Sequence, residues 1–445
     1  MEHAANAWKD HWYPVAYLRD LNRRRPAAFT LLEQDLVLWW DRTGGHWRAF
    51  ADVCPHRLVP LSEGRINEQG QLECPYHGWC FNGDGDCAHI PQAESGSRVS
   101  ERRSACHSFA TAEGQGLLFV FAGEAAAAAA VPLPLVPVIE DASDGPWVLQ
   151  DTFRDLPMDA LTLLENVLDV SHVNFTHHGT VGRRTNAGPV RAELRSAGPE
   201  GFTAFWQEGP RQGRLGSQHT TFAAPALMFH DLTARNFARI LTVVYATPIR
   251  RGECRLFARF PFQFRSPLPR LLLRFRPVWL QHIGNHKVLE DDQIFLHWQE
   301  RQLERRGRSG AATRAFHLAT SSDLYVQALH DWVNRHGGDP FPSEPLPPRQ
   351  SLPALMEREH SHTRHCAACS GALAGIRRWR PLVAAVPWLA LLLVAWWHTP
   401  AALLAALLLA AAAAWMLRRL GRWERLLLAG DGQAPRNRLS PDRRL

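Results

Sequence analysis

Two short hooks constrain this chain more than any other feature. They are Cys54-Pro55-His56 and, after 17 intervening residues, Cys74-Pro75-Tyr76-His77-Gly78-Trp79. Each hook offers one thiolate and one imidazole. That donor set suits a two-iron cluster in which two Cys hold one iron and two His the other. Neutral imidazoles in place of two thiolates reduce the negative charge of such a cluster and raise its potential. The other reading is a Cys2His2 zinc site, although zinc fingers usually pair Cys with Cys in the first hook.

The hooks lie in a stretch that reads as short strands and turns, residues 10–122. Phe29–Trp40 is strand-like, Arg42-Thr43-Gly44-Gly45 is a turn, and His46–Val53 and Leu117–Phe121 are further strands. Residues 123–146 read as a linker: a six-alanine run, Ala125–Ala130, is followed by Pro132, Pro134 and Pro137. A short alanine helix is the alternative there. Residues 147–345 form a larger mixed domain. Its first helix is expected from Met158 to about Thr176, with Gly179 as the stop. A β-rich middle follows over 190–265, then helical stretches at His286–Arg305 and Ala315–Arg335. Pro-rich residues 338–353 read as loop, and residues 346–376 as a second linker that holds Cys366-Ala367-Ala368-Cys369.

The character of the chain then changes. Pro381–Trp397 and Ala401–Leu417 are each 17 residues without a charge, separated by His398-Thr399-Pro400. As helices each would rise about 26 Å, the low edge for a bilayer span. Arg377, Arg378 and Arg380 precede the first run, and Arg418, Arg419 and Arg422 follow the second. The positive-inside rule therefore predicts a membrane hairpin over 381–417 with both ends cytoplasmic, followed by a basic tail, 418–445. A pair of buried or interfacial helices is the alternative.

Bulk composition excludes several classes. Arginine supplies 48 of the 50 Lys and Arg residues, which are spread along the chain, and no nucleic-acid recognition motif is present. Eight Cys in 445 residues do not make a disulfide scaffold, and their placement fits a reducing compartment. No secretory signal or long Ser-rich transit peptide is seen, so a bacterial or mature organellar protein is expected.

A cluster of this kind moves one electron, and a second site must use it. Asn166, Asp169 and His172 step by three and are expected on one helix face, with His177 five residues further. Two imidazoles and a distant carboxylate form the facial triad of mononuclear Fe(II), which keeps positions open for O2 and substrate.

The hooks resemble the Rieske motif. Rieske proteins of the cytochrome bc type carry an extra Cys in each hook, and these pair as a disulfide. Val59 and Tyr76 occupy those positions here, so the resemblance points to the Rieske non-haem iron oxygenases. That family implies a [2Fe–2S] cluster on Cys54, His56, Cys74 and His77, and mononuclear Fe(II) on His172, His177 and a late Asp. Asp292 fits the family's Glu-x-Asp form best, with Asp291 the alternative. Cys80 and Cys87 are then packed thiols, and His282, His286 and His297 support the iron site or the structure. The implied fold is α+β: an N-terminal all-β Rieske domain, a helix-grip-like catalytic domain with an antiparallel sheet, then the helical hairpin. The family assembles as a head-to-tail homotrimer in which a bridging acid carries electrons between subunits. Asp169 matches that residue, and Asn166 lies beside it as a second candidate catalytic residue.

Leu164-Glu165-Asn166, His177-His178-Gly179-Thr180, Ile90-Pro91-Gln92 and Cys366-x-x-Cys369 narrow the resemblance to the pheophorbide a oxygenase and chlorophyllide a oxygenase-like group. This implies O2 and a hydrophobic chlorophyll-derived tetrapyrrole as substrates. It also implies a thylakoid or cytoplasmic membrane location with the catalytic domains on the cytoplasmic side. No dinucleotide fingerprint is present, so ferredoxin or a similar reductase is the expected donor. Cys366 and Cys369 read as a thioredoxin-reducible switch or a metal hook, with the redox pair expected. A membrane electron carrier or redox sensor without oxygenase chemistry is the competing function.

Overall fold

The computed structural model describes residues 7–94, 102–140, 145–233, 239–307 and 314–430. Of the expected basic tail, 418–445, residues 431–445 lie outside them, whereas 418–428 continue the helix Pro400–Leu428. Two compact units divide the chain: Met1–Arg274 with Phe295–Arg349, and Phe275–Ile294 with Gln350–Leu445.

The first unit begins with three small sheets. One joins β1 (Trp12–Tyr17), β10 (Thr111–Gly114) and β11 (Leu117–Phe121) in the order β1-β11-β10. A second runs β2 (Ala27–Leu31), β3 (Gln34–Asp41), β4 (His46–Ala51) and β9 (Ser108–Phe109). The third, of two- and three-residue strands, is β5 (Arg65–Ile66), β6 (Leu72–Glu73), β7 (Cys80–Phe81) and β8 (Cys87–His89). β3 is buried on both faces from Leu36 to Trp39, and Val37, Trp39 and Phe50 pack with Leu61, Leu72 and Phe81.

The strand-like run Phe29–Trp40 is two strands, not one. Leu32 and Glu33 both adopt left-handed backbone (φ 49° and 67°) and turn the chain. Neither residue favours that region, so the local sequence does not announce the turn. Tertiary hydrogen bonds hold it, from Leu32 N–H to the Pro248 carbonyl (3.1 Å) and Glu33 N–H to the Ile249 carbonyl (2.8 Å).

The alanine run forms a 3-10 turn, Ala125–Ala130, inside the connection to the large sheet. That sheet has seven antiparallel strands: β12 (Val148–Leu156), β13 (Glu193–Gly198), β14 (Gly201–Trp206), β15 (Gln218–Ala223), β16 (Leu227–Leu232), β17 (Arg239–Arg250) and β18 (Glu253–Gln263). β13 to β18 follow one another as a meander, and β12 pairs with β18. Helices α1 (Ala160–Leu168), α2 (Val173–Thr176), α3 (Pro267–Phe275), α4 (Val278–Arg305) and α5 (Leu324–Trp332) accompany it. An all-β N-terminal part and an antiparallel sheet with helices is the expected α+β architecture. The N-terminal part is bonded to the sheet by Thr247 Oγ1 donating to the Pro14 carbonyl (2.8 Å) and Arg255 Nη1 to the Val15 carbonyl (3.2 Å).

The second unit contains the start of α4 and two long helices, α6 (Ala367–Trp397) and α7 (Pro400–Leu428). Thr399 caps α7 through its hydroxyl, which accepts from Ala402 N–H (3.2 Å), and Pro400 occupies the first turn. Both helices are long and apolar enough to cross a membrane, and their apolar windows are only 6% and 11% buried. Trp388, Leu392, Trp396, Leu404 and Leu408 all point outward. Arg377 and Arg380 pair with Glu424 near the hairpin's base (3.1 and 2.8 Å).

The strained β2–β3 turn makes a direct prediction. Glu33→Gly should raise the thermal midpoint, because relief of left-handed strain of about 1 kcal/mol exceeds the added chain entropy. Glu33→Val should lower it, since a β-branched residue resists that backbone. Scanning calorimetry of the three proteins checks the order.

Candidate metal centres

The first hook closes on itself through Leu58 N–H to the Cys54 carbonyl (2.9 Å) and Cys54 N–H to the Val59 carbonyl (2.9 Å). The second repeats the pattern, with Gly78 N–H to the Cys74 carbonyl (3.1 Å) and Cys74 N–H to the Trp79 carbonyl (2.8 Å). The fourth residue after each Cys is left-handed: Leu58 (φ 58°) and Gly78 (φ 73°). At Gly78 the reason is visible, because a Cβ there would meet Pro91 Cγ at 3.1 Å. Gln92 then donates to the His77 carbonyl (3.0 Å), so Pro91 and Gln92 brace the second hook.

The hooks bring the four predicted ligands to one end of the domain. Cys54 and Cys74 are buried in the apolar core with Trp39, Phe50 and Phe81, whereas His56 is exposed and His77 half-buried. The two imidazoles lie 4.7 Å apart, and His56 stacks on Trp79 at 4.6 Å. Burial pushes the Cys54 thiol up to about 11, with the neighbouring Cys74 adding to the rise. Loading a metal must therefore displace a proton. Sulfurs inside and imidazoles at the surface fit a two-iron cluster whose imidazole side faces outward. Cys80 and Cys87 are buried thiols; Cys80 accepts from Asn67 Nδ2 (3.4 Å) and donates to the Gly78 carbonyl (3.2 Å).

The second site departs from expectation in its backbone. The helix expected from Met158 to Thr176 ends at Leu168, and Asp169 is extended (ψ 103°). Asn166, Asp169 and His172 therefore do not share one helix face. The break comes from Asp169 itself, whose Oδ1 accepts from both Ser171 N–H (2.7 Å) and Ser171 Oγ (2.5 Å). Such local bonds compete with the helix ladder. The turn re-aims His172 so that its Nδ1 donates to the Asp169 carbonyl (2.5 Å). Nε2 is then the nitrogen that carries a lone pair for a metal. Asn166 stays on the last turn of α1, half-buried.

α2 carries the chain to His177, whose ring lies 5.2 Å from that of His172. The His177 carbonyl accepts from Thr180 N–H, Thr180 Oγ1 and Gly182 N–H at 2.8–3.0 Å, which clamps the following loop. Gly182 passes so near Val173 that a Cβ would sit 1.9 Å from its carbonyl oxygen. Asp292 lies on α4 and is buried at 7% exposure, while Asp291 is half-buried. His286 is buried beside His362 (ring centroids 4.3 Å apart). His297 bonds the Pro157 carbonyl through Nδ1 (2.6 Å).

Two supports of α1 carry no local sequence signal. His230 on β16 donates from Nε2 to the Val167 carbonyl (3.1 Å), while its Nδ1 accepts from Thr220 Oγ1 (2.9 Å) and Gln218 Nε2 (3.1 Å). Glu165 binds His330 of α5 at 2.7 Å. Pairs more than sixty residues apart are invisible to periodicity or spacing.

The Cys-x-x-Cys sits at the start of α6 with both sulfurs buried and two imidazoles against them, His282 and His362. His282, expected to support the iron site or the structure, is thus placed against the cysteines.

Burial holds the His230 pKa down to about 4, so it is neutral in the folded protein at neutral pH. A depressed His contributes stability that is fully present above its unfolded value, about 6.5, and is lost as pH falls towards the folded value. The advantage of wild type over His230→Gln should therefore shrink by roughly 3 kcal/mol between pH 6.5 and 4. Thermal midpoints of both proteins across that range provide the measurement.

With this geometry in hand, comparison with known proteins identifies the family. Residues 11–109 match the Rieske [2Fe-2S] domain and residues 222–310 match pheophorbide a oxygenase. Pheophorbide a oxygenase from Arabidopsis thaliana is 35% identical over 82% of this chain and 72% of its own length. Flavonoid 8-hydroxylase 2 from Ocimum basilicum is 30% identical over 87% of this chain and 77% of its own. Among solved structures, the Pseudomonas putida CBB5 NdmA QL mutant with theobromine superposes with a TM-score of 0.60 at 19% identity, covering 74% of this chain and 91% of that one. Hooks, paired histidines and long-range identity agree: this chain belongs to the pheophorbide a oxygenase family of Rieske non-haem iron oxygenases.

Proposed function

We propose that this protein is a membrane-anchored oxygenase that inserts oxygen from O2 into a chlorophyll-derived tetrapyrrole such as pheophorbide a or a chlorophyllide a-like ring. The observation that carries this reading is the coexistence of the surface-facing Cys54/His56/Cys74/His77 cage with the His172–His177 pair. An electron carrier needs the cage alone.

Cys54, Cys74, His56 and His77 would hold the cluster, the two Cys on one iron and the two His on the other. His172, His177 and Asp292 would hold the mononuclear iron. Burial favours Asp292 over Asp291, because a buried carboxylate needs a cation or donors around it. When bound, the cluster supplies single electrons and the iron offers open positions for O2. Asp169 orients His172 through its carbonyl and presents Oδ2 at 3.8 Å from His172 Nδ1. It would be the bridging acid between the Cys/His hooks of one subunit and the His172–His177 pair of the next in a homotrimer. Asn166 sits three residues before it, on the last turn of α1. Leu58 and Tyr76, both strongly exposed beside the imidazoles, supply an apolar rim for that neighbour.

Electrons come from ferredoxin or a similar reductase. α6 and α7 anchor the chain in a thylakoid or cytoplasmic membrane, with the arginine-flanked ends on the cytoplasmic side. α3 adds exposed Leu268, Leu271 and Leu272 beside Arg270 and Arg274, a composition suited to the membrane interface. An anchored enzyme meets lipophilic substrate where it partitions.

The test is anaerobic reduction with ferredoxin, then O2 and a panel of chlorins and flavonoids, with product mass analysis. A tetrapyrrole product enlarged by oxygen is expected; conversion of flavonoids alone overturns the substrate class. Asp169→Asn should retain both the cluster spectrum and iron content and lose about 10–100-fold in turnover. Wild-type turnover in that variant removes the bridging role. His172→Ala and His177→Ala should abolish product with the cluster intact, and electron transfer without product in wild type favours the carrier.

A further inference from the structure

Within the second unit, four side chains from distant parts of the chain converge. His282 comes from the first half of α4, His362 from the turn before the 3-10 helix Thr363–His365, and Cys366 and Cys369 from the N-terminus of α6. His362 Nε2 lies 3.2 Å from His282 Nδ1 and 3.3 Å from Cys369 Sγ. His282 Nδ1 lies 3.5 Å from Cys366 Sγ and 3.4 Å from Cys369 Sγ. All four donor atoms are within 4.8 Å of one another, and each residue is only 1% exposed.

These separations have a simple geometric source. Zinc bonds of about 2.0–2.1 Å to nitrogen and 2.3 Å to sulfur, set tetrahedrally, give edges of about 3.3 Å between nitrogens and about 3.5 Å between nitrogen and sulfur. The observed edges match both values. Two imidazole nitrogens and two sulfurs are all good lone-pair donors, and their mutual approach in a dry site is best satisfied by one shared cation. We propose that His282, His362, Cys366 and Cys369 form a closed structural Zn2+ site, separate from both iron centres.

The surroundings are built for it. Cys366 precedes the first residue of α6 and Cys369 lies in its first turn, the two-residue spacing of a zinc hook. Arg358, four residues before His362, forms a buried two-point pair with Glu290 of α4 (2.6 and 2.7 Å) and also donates to the Leu426 carbonyl (2.6 Å). Thr363 donates to the Leu427 carbonyl (2.5 Å). The zinc would thus staple α4 to the base of the helical hairpin. Burial argues against the thioredoxin-reducible pair, since exchange needs a sulfur that an outside thiolate can reach. The set also has no open position, which fits a structural and not a catalytic ion.

The inference stands apart from the proposed substrate and is tested without turnover. The full chain is produced with iron and zinc supplied, purified in detergent, and dialysed against a weak chelator. About one zinc per chain should remain by plasma mass spectrometry, and zinc-edge absorption should show two sulfur and two nitrogen neighbours at about 2.3 and 2.0 Å. Cys366→Ser/Cys369→Ser and His362→Ala should each lose most of that zinc while the visible absorption of the Rieske cluster persists. Where a variant fails to fold, cobalt-loaded wild type decides: thiolate-to-cobalt charge transfer and tetrahedral bands are expected. Absence of zinc from wild type, iron in its place, or a Cys366–Cys369 disulfide in freshly isolated protein overturns the proposal.

Discussion

Helix α4 imposes the strongest constraint on its neighbours, because much of what it buries is polar. Gln281, His282, His286, Glu290, Asp292, Gln293, His297, Glu300 and Arg301 are all buried on it. An amphipathic helix normally hides an apolar stripe; beside Ile283, Ile294 and Leu296 this one also hides charges and imidazoles, each of which needs a partner. In the first unit, Glu300 accepts from Asp159 N–H (2.6 Å) and from Arg301 (3.1 Å), and Asp159 in turn accepts from Gly252 N–H (2.5 Å) and pairs with Arg251 (2.8 Å). Burial pushes both carboxyl groups up, and the two arginines oppose it. In the second unit, Glu290 meets Arg358, and Gln293 donates to the Leu355 carbonyl (2.5 Å). Removing one partner of a buried pair of this kind costs about 3–5 kcal/mol. Within the second unit, the bonds of Glu290 and Gln293 set the rotation of the first half of the helix, and with it the placement of Asp292 and His282.

The same economy governs the histidines. His172 is aimed by the Asp169 carbonyl, and the end of α1 that presents Asp169 is held by His230 and Glu165. Each ligand thus rests on a second set of hydrogen bonds that fixes its tautomer or its backbone. Such support holds the two imidazoles in their mutual position, 5.2 Å apart. The cluster hooks solve the equivalent problem with backbone alone: two loops of identical bonding pattern, each turned by one left-handed residue.

Much of the site was legible because ligand chemistry resides in residue type and short spacing. Cys54, His56, Cys74 and His77 announce themselves in two hooks, and His172 and His177 in one segment. The α+β order was legible from strand patterning followed by helical periodicity, and the hairpin from two uncharged runs. Less legible was the path between such points. The expected helix through Asp169 fails because one carboxylate prefers its neighbour's amide to the helix ladder. The run through Leu32 and Glu33 looks continuous, yet it reverses because β17 offers two carbonyls to its amides.

By itself the sequence determined the Cys and His of the two hooks and the His172–His177 segment as metal-binding residue types, the β-rich character of the N-terminal part, and which two helices are apolar enough for lipid. These properties follow from local composition. Only the tertiary structure decided that His282 faces Cys366 and Cys369, 84 and 87 residues away, and that His230 braces Val167 from 63 residues away. Contacts across such separations leave no periodic trace in one chain. They exist because the sheet and α4 place those backbones together and buried polar groups cannot remain unmatched.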